Sequence, residues 1–489
     1  MAKSINGGEP LNKIQEGNVA QRDFTEGENL LEKSKSVCPE CLEIVDCQIF
    51  FRDEKVYMKK FCQEHGYFET LIYSDASNSL AADKFNKPGA TPLHFQGSVS
   101  KGCPYDCGLC EDHKQHTCVG VIEITEKCNL NCPVCFVDSN NSFSLSFEKV
   151  AEMIDLYVRC EGEPEVLQIS GGEPTLHPDI MEILKYAGQM GIKYPMLNTN
   201  GIKLADRDFA RKISETMKNE PYIKKPLIYL QFDGFSDETY MALRGRPLLD
   251  IKQKALKNCM EFGMNVTLVP TIVRGINEHE IGKVIDLALN DNNIKMVNFQ
   301  PSTLTGRYEL DDKGNRRLTI PEILDEIEAQ SAGLLAKKSF INIPCPYPTC
   351  SVCTYVYKME DRILSLTELF EIEKYMDHIV NRTIPDDGLL TPVNEALDSL
   401  LSMSAVMGSE KTESAICTSC GIAIPNIPEL MDNITLISVH AFMDEFNFDL
   451  KRAKKCCVTE ILPNGQMIPF CVYNVLYRKD LKPVFGRMC

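Results

Sequence analysis

The sequence predicts an α/β fold whose centre is a parallel sheet, open or rolled into a partial barrel of six strand–helix units, with cysteine-rich regions on either side. Three observations predict it. Short β-branched runs alternate strictly with amphipathic helical patterns from residue 119 onward. The residues before that stretch are loop-rich and carry tight cysteine groups, and a third cysteine-rich region follows it. Polar residues and glycines recur where the β-branched runs end, which is where catalytic groups sit in parallel sheets.

The strands read as 120–125, 166–170, 194–199, 227–233, 265–273 and 295–300, and helical patterns between them include 147–160, 180–190, 251–262 and 281–289. This divides the chain into a polar tail (1–35), an N-terminal cysteine-rich region (36–118), the barrel (119–335) and a C-terminal cysteine-rich region (336–489) punctuated by Pro344, Pro346, Pro348, Pro385 and Pro392. The 489 residues exceed what one core usually serves. No solenoid-type repeat is evident.

Composition narrows the function. With 44% hydrophobic and 25% charged residues the chain is an ordinary globular one. Its net charge of −17 disfavours nucleic acid and broad electrostatic docking on an anionic membrane. No run of eighteen apolar residues spans a bilayer, and MAKSINGGEP is not a signal peptide. A reducing, cytoplasmic setting is therefore expected, with a peripheral position at the inner membrane face as the variant. There the 22 cysteines stay available as ligands. Cys160 and Cys259 stand alone in helical runs and read as core residues.

The first strand, VIEIT, leads directly into Cys128-x3-Cys132-x2-Cys135. Three thiolates at this spacing can hold three irons of a cubane and leave the fourth without a protein ligand, an open position of the kind that binds substrate. A zinc knuckle is the plainer alternative. The second strand, VLQIS, ends at Gly171-Gly172-Glu173. Glycines there permit close backbone approach to a ligand, and the carboxylate can hold an ammonium group. Asn198, Thr199 and Asn200 end the third strand, Gln231 and Asp233 the fourth, and Thr271 and Arg274 the fifth. All are candidates for one cofactor pocket. Together they resemble the radical S-adenosylmethionine (SAM) superfamily. There the Cys-x3-Cys-x2-Cys loop carries a [4Fe–4S] cluster, the open iron chelates the methionine end of SAM, and the GGE element binds its amino group. The resemblance implies reductive cleavage of SAM to a 5′-deoxyadenosyl radical, with a reduced ferredoxin or similar donor.

The other cysteines suggest further metals. Cys103, Cys107 and Cys110 repeat the same spacing without a convincing strand before them, so they read as an auxiliary cluster with Cys118 as fourth ligand, or as zinc. Cys38, Cys41, Cys62 and His65 form a knuckle pair for zinc or a rubredoxin-like iron, with Cys47 as a substitute for His65. Cys345, Cys350 and Cys353, then Cys417 and Cys420, then Cys456, Cys457, Cys471 and Cys489 can complete one or two more sites, with Cys417, Cys420, Cys457 and Cys471 the preferred quartet.

This ordered series, with Gly102-Cys103-Pro-Tyr-Asp-Cys107 and Pro469-Phe470-Cys471-Val-Tyr-Asn, resembles the archaeal tetraether lipid synthase family. That resemblance implies three [4Fe–4S] clusters (one SAM-binding, two auxiliary), a rubredoxin-like site, a long-chain isoprenoid glycerol lipid substrate and transient membrane contact. The reaction implied is C–C bond formation between terminal methyl carbons of two isoprenoid chains. The Met-rich stretch 389–407 fits a lipid tunnel or an ordinary core helix. The same family is also described as methylating 7,8-dihydro-6-hydroxymethylpterin in methanopterin biosynthesis, the alternative carried forward here. A non-catalytic multi-cluster electron carrier is the third reading, and an unligated iron has no use in it.

Overall fold

The computed structural model describes residues 27–137, 143–223, 225–310, 316–358, 363–369, 380–381, 415–417, 422–424 and 433–485. The stretch 389–407, Cys420 and Cys489 lie outside them, and of Cys417 only the backbone strand is described.

An antiparallel sheet opens the described chain: β1 (Asn29–Val37), β2 (Ile44–Arg52), β3 (Lys55–Cys62) and β4 (Gly66–Tyr73), paired in sequence order. Val56, Met58 and Tyr73 bury one side against the main core. The two tight turns at one end carry the cysteine knuckles, as antiparallel geometry requires of residues joined by short connections.

The central unit is an α/β partial barrel. Its parallel strands are β5 (Val119–Glu123), β6 (Val166–Ser170), β7 (Tyr194–Thr199), β8 (Leu227–Gln231), β9 (Asn265–Val269) and β10 (Ile294–Pro301), adjacent in that order. Connecting helices include α1 (Phe147–Glu161), α2 (Ile180–Gln189), α3 (Arg207–Lys218), α4 (Asp237–Arg244), α5 (Leu249–Glu261) and α6 (Ile281–Asn290), with α7 (Ile320–Gln330) following β10. Local chemistry sets their starts. Ser146, Asp206 and Ser236 cap α1, α3 and α4 by accepting the backbone N–H three residues on. Alternation along each strand sends Ile122, Ile169, Leu197, Ile228 and Leu268 outward into the helix-packed core. Val121, Met196, Tyr229 and Val269 turn the other way, into a separate cluster inside the barrel.

The observed strands match the expected runs closely. The run 265–273 divides because Pro270, which has no N–H to donate, separates β9 from the short strand Thr271–Ile272.

Residues beyond 335 extend the same sheet. Strands β11 (Ser351–Lys358) and β12 (Ile434–His440) lie beyond β10, with β12 parallel to it. At the opposite side β13 (Val458–Ile461) pairs parallel with β5, and β14 (Met467–Pro469) folds back on β13. Among the described residues no helix is long and apolar enough to cross a membrane.

Candidate active site

The C-terminal ends of the parallel strands converge on an open cavity of about 860 Å³, solvent at its mouth included. Cys128, Cys132 and Cys135 line it, as do Gly171, Gly172, Glu173, Asn198, Thr199, Asn200, Gln231 and Thr271. Eleven sequence candidates thus share one space.

Local geometry explains how the cysteine loop is held. The N–H groups of Gly172 and Glu173 donate to the carbonyls of Thr125 and Lys127, both at 2.7 Å. A Cβ on Gly171, at φ +131°, would fall 2.3 Å from Thr125 O, and one on Gly172 would fall 2.4 Å from Lys127 O. The two glycines therefore admit the backbone of the cysteine loop while also lining the cavity.

Glu173 is buried and already engaged. Its carboxylate accepts from the hydroxyls of Thr175 and Thr199, each at 2.6 Å, and from the Asn200 N–H at 2.8 Å. Burial raises its pKa while these donors lower it. Glu173 thus ties β6 to β7. Asn200 reaches back to Asn129 of the cysteine loop at 2.7 Å.

Asp233 and Arg274, named from the sequence as cofactor contacts, are placed otherwise. Asp233 is buried behind the cavity wall in a two-point ion pair with Arg244 at 2.6 and 2.8 Å. Arg244 also donates to Val134 O at 3.0 Å and Thr271 Oγ1 at 2.9 Å, so the pair pins the cysteine loop to two strand ends. Arg274 faces away, paired with Glu322 at 2.7 Å, because its strand turns at Gly275 toward α7.

Two groups escaped the sequence reading. Arg244 is the last residue of α4, where a basic side chain looks unremarkable in sequence. Lys252 of α5 is fully buried, and its ammonium donates to Asn200 O at 2.6 Å, Gln231 O at 2.8 Å and Gln231 Oε1 at 3.0 Å. Burial brings its pKa down to about 8. Ser302, Thr303 and Thr305 complete the wall.

The donor set fits an iron–sulfur cluster. Burial, with Glu173 nearby, pushes the Cys128 thiol up to about 11, and burial raises Cys132 against the pull of Arg244. Only a bound cation would keep these sulfurs as thiolates at neutral pH. The three sulfurs share one cavity without the crowding within 4.8 Å found at the two tight groups of the described residues. A single tetrahedral ion needs that crowding and a cubane does not.

The first tight group is Cys38, Cys41, Cys62 and His65. His65 Nδ1 lies 3.6 Å from Cys38 Sγ and 3.5 Å from Cys62 Sγ, and Cys41 Sγ lies 3.9 Å from Cys62 Sγ. These spacings suit one tetrahedral zinc. Cys47 does not substitute for His65: it faces the core from mid-strand β2.

The second tight group corrects the expected pairings. Cys118 lies with Cys345 and Cys457, not with Cys103, Cys107 and Cys110. The sulfurs of Cys118 and Cys345 are within bonding distance, yet their Cα atoms are 7.8 Å apart. That separation is wider than a relaxed disulfide spans, and with a third thiol alongside it suits a metal or cluster. Gln115 Nε2 points at Cys118 and Cys345.

Cys471 interacts electrostatically with Cys350 and Cys456, and Arg452 Nε approaches Cys350 Sγ at 3.2 Å. Cys457 interacts with the same two cysteines, so Cys457 and Cys471 of the preferred quartet share Cys350 and Cys456 as neighbours, while Cys420 lies outside the described residues. Among the described residues Cys353 joins no metal-ligand group. It packs with Phe85 and Ile341 in the sheet. Cys160 and Cys259 are buried core residues.

Comparison with known proteins agrees with this geometry. The pattern of the radical SAM superfamily matches residues 122–288, and that of the HMPTM N-terminal zinc ribbon domain matches residues 30–74. The chain is 34% identical to the 7,8-dihydro-6-hydroxymethylpterin dimethyltransferase of Methanocaldococcus jannaschii, over 93% of this chain and 96% of that protein. It is 32% identical to the Fe-coproporphyrin III synthase of Methanosarcina barkeri, over 39% of this chain and 45% of that one. Among solved structures, Streptococcus suis SuiB bound to S-adenosylmethionine aligns with 44% of this chain and 47% of its own, at 17% identity and a TM-score of 0.35.

Proposed function

The chain belongs to the radical SAM superfamily and to the family of the M. jannaschii 7,8-dihydro-6-hydroxymethylpterin dimethyltransferase, and on that premise we propose that it methylates a dihydropterin by radical chemistry. The observation that carries this is likeness over nearly the whole chain, zinc ribbon included.

Cys128, Cys132 and Cys135 would hold a [4Fe–4S] cluster, which would supply the electron for cleavage of SAM to methionine and a 5′-deoxyadenosyl radical. The chain's own residues do the rest. Arg244 and Gly171–Gly172 hold the cysteine loop against the strand ends. Asn198, Thr199, Asn200, Gln231 and Thr271 offer hydrogen bonds to the polar parts of SAM. The strands and the cysteine loop wall the site on the sheet side, where a reactive carbon radical is kept from bulk water once substrate covers the opening.

The lumen also suits a flat polar substrate. Tyr229 accepts from Asn298 and Gln300, both at 2.8 Å, and Gln300 lines the cavity. Phe136, next to Cys135, lies 5.2 Å from Phe442 and 5.7 Å from Phe470, edge to face. A heteroaromatic ring finds stacking surfaces and amide partners here.

Anaerobically reconstituted protein given excess SAM, dithionite and 7,8-dihydro-6-hydroxymethylpterin should yield singly and doubly methylated pterin by mass spectrometry, each methyl consuming two electrons from dithionite and two SAM, one leaving as methionine and 5′-deoxyadenosine and the other, the methyl donor, as S-adenosylhomocysteine. 5′-Deoxyadenosine without methylated pterin would count against the substrate, and no 5′-deoxyadenosine would restore the electron-carrier reading. The second reading, joining of isoprenoid lipid chains, is favoured by the number of cysteine groups apart from the SAM site. Expression in an archaeon without tetraethers tests it. Biphytanyl cores in the extracted lipids would put it first.

A further inference from the structure

Glu460 of β13 is 1% exposed, and neither of its carboxyl oxygens has a hydrogen-bond partner among the described residues. Strand alternation fixes which way it faces. Thr459 turns to the helix side, where its hydroxyl meets that of Thr117 at 3.1 Å, and Ile461 joins the core with Tyr157 of α1. Glu460, between them, faces the lumen. Its ladder partner is Val121, a member of the cluster inside the barrel.

The neighbouring cation is already committed. Arg478 gives its two terminal nitrogens to Glu123 at 2.6 and 2.9 Å and its Nε to Asn474 at 2.9 Å. Glu123 is in register with Ser170, which lines the cavity, so Glu460 lies one inward step deeper along the same wall. Burial and the Glu123 carboxylate raise its pKa well above the ordinary value, against the pull of Arg478. A buried acceptor left unpaired is costly, and each such group calls for a partner or a role.

We propose that Glu460 is the substrate-recognition residue: on binding it gives its proton to solvent, and its two carboxylate oxygens accept from the adjacent ring N–H and amino group of an aminopyrimidinone, donors that favour the ionised form. The inference rests on the dihydropterin reading and specifies which face of the ring the protein grips. Two oxygens side by side match two neighbouring N–H donors. Glu460 pairs in register with Ile468, two residues before Phe470 of the aromatic cluster, so the acceptors and the stacking surface lie on one hairpin. An alkyl chain has no donor and would leave the carboxyl as it is.

The test is binding. The chain has no tryptophan, so the fluorescence of oxidised 6-hydroxymethylpterin can be followed directly in reconstituted holoprotein with SAM present. E460Q and E460L should weaken pterin binding by about tenfold or more while SAM binding stays unchanged. Their thermal midpoints should be no lower than wild type, because replacing an unpaired buried carboxyl relieves its desolvation. If wild type and both variants bind pterin alike, the assignment of Glu460 is wrong and the substrate reading stands. If wild type does not bind pterin, both fall.

Discussion

Two loops in this protein share one spacing, Cys-x3-Cys-x2-Cys, and differ in everything around it. Cys128, Cys132 and Cys135 follow a strand of the parallel sheet, are gripped by Gly171 and Gly172, and face a cavity. Cys103, Cys107 and Cys110 sit in an irregular loop folded on the Asp106 carboxylate, which accepts from the N–H groups of Ser100 and Gly102 at 2.7 Å. Cys103 and Cys107 pack against the Met443–Phe448 cluster. Spacing alone says that iron can be wrapped. The strand end says where a cofactor can reach it.

The largest expected effect separates the two loops outright. C132A should reduce 5′-deoxyadenosine formation to background, while C107A should keep SAM cleavage and lose methylated product, both read by chromatography of quenched reactions. The opposite result would exchange their roles.

Next comes the clamp that only one loop has. R244M leaves the Asp233 carboxylate buried without its partner and should cost about 3–5 kcal/mol in denaturant unfolding. The double variant D233N/R244M should recover part of it. Equal loss in single and double variants would mean that the pair does not hold the loop.

G172A should cost about 1–3 kcal/mol, since the added methyl meets Lys127 O. The iron lost should be that of the Cys128 loop, visible as reduced SAM-dependent change in the cluster's electron paramagnetic resonance signal. The smallest effect on catalysis belongs to C41A. One zinc per chain should disappear from metal analysis, with SAM cleavage within about twofold of wild type, as expected of a distant independent site.

What the sequence disclosed follows the same contrast. The six barrel strands and the residues at their ends were legible because hydrophobic alternation and strand-end motifs are local signals. Val166–Ser170 and Tyr194–Thr199 fall where the pattern put them. The partition of the cysteines was not, because it is spatial: Cys118 meets Cys345 across 227 residues. Nor was the work of Lys252 or Arg244, whose side chains act only once burial strips them of water. Strands β11, β12 and β13 lacked the strand–helix rhythm that marks the barrel, so their place in its sheet was hidden.

That placement bears on how the molecule is made. The flanks of β5 and β10 would be bare rows of amide donors and acceptors if synthesis stopped after α7, a template for indiscriminate pairing with other chains. Both rows are sealed by segments from the last third of the polypeptide, at opposite margins of the sheet. A fragment limited to the superfamily core should therefore clump.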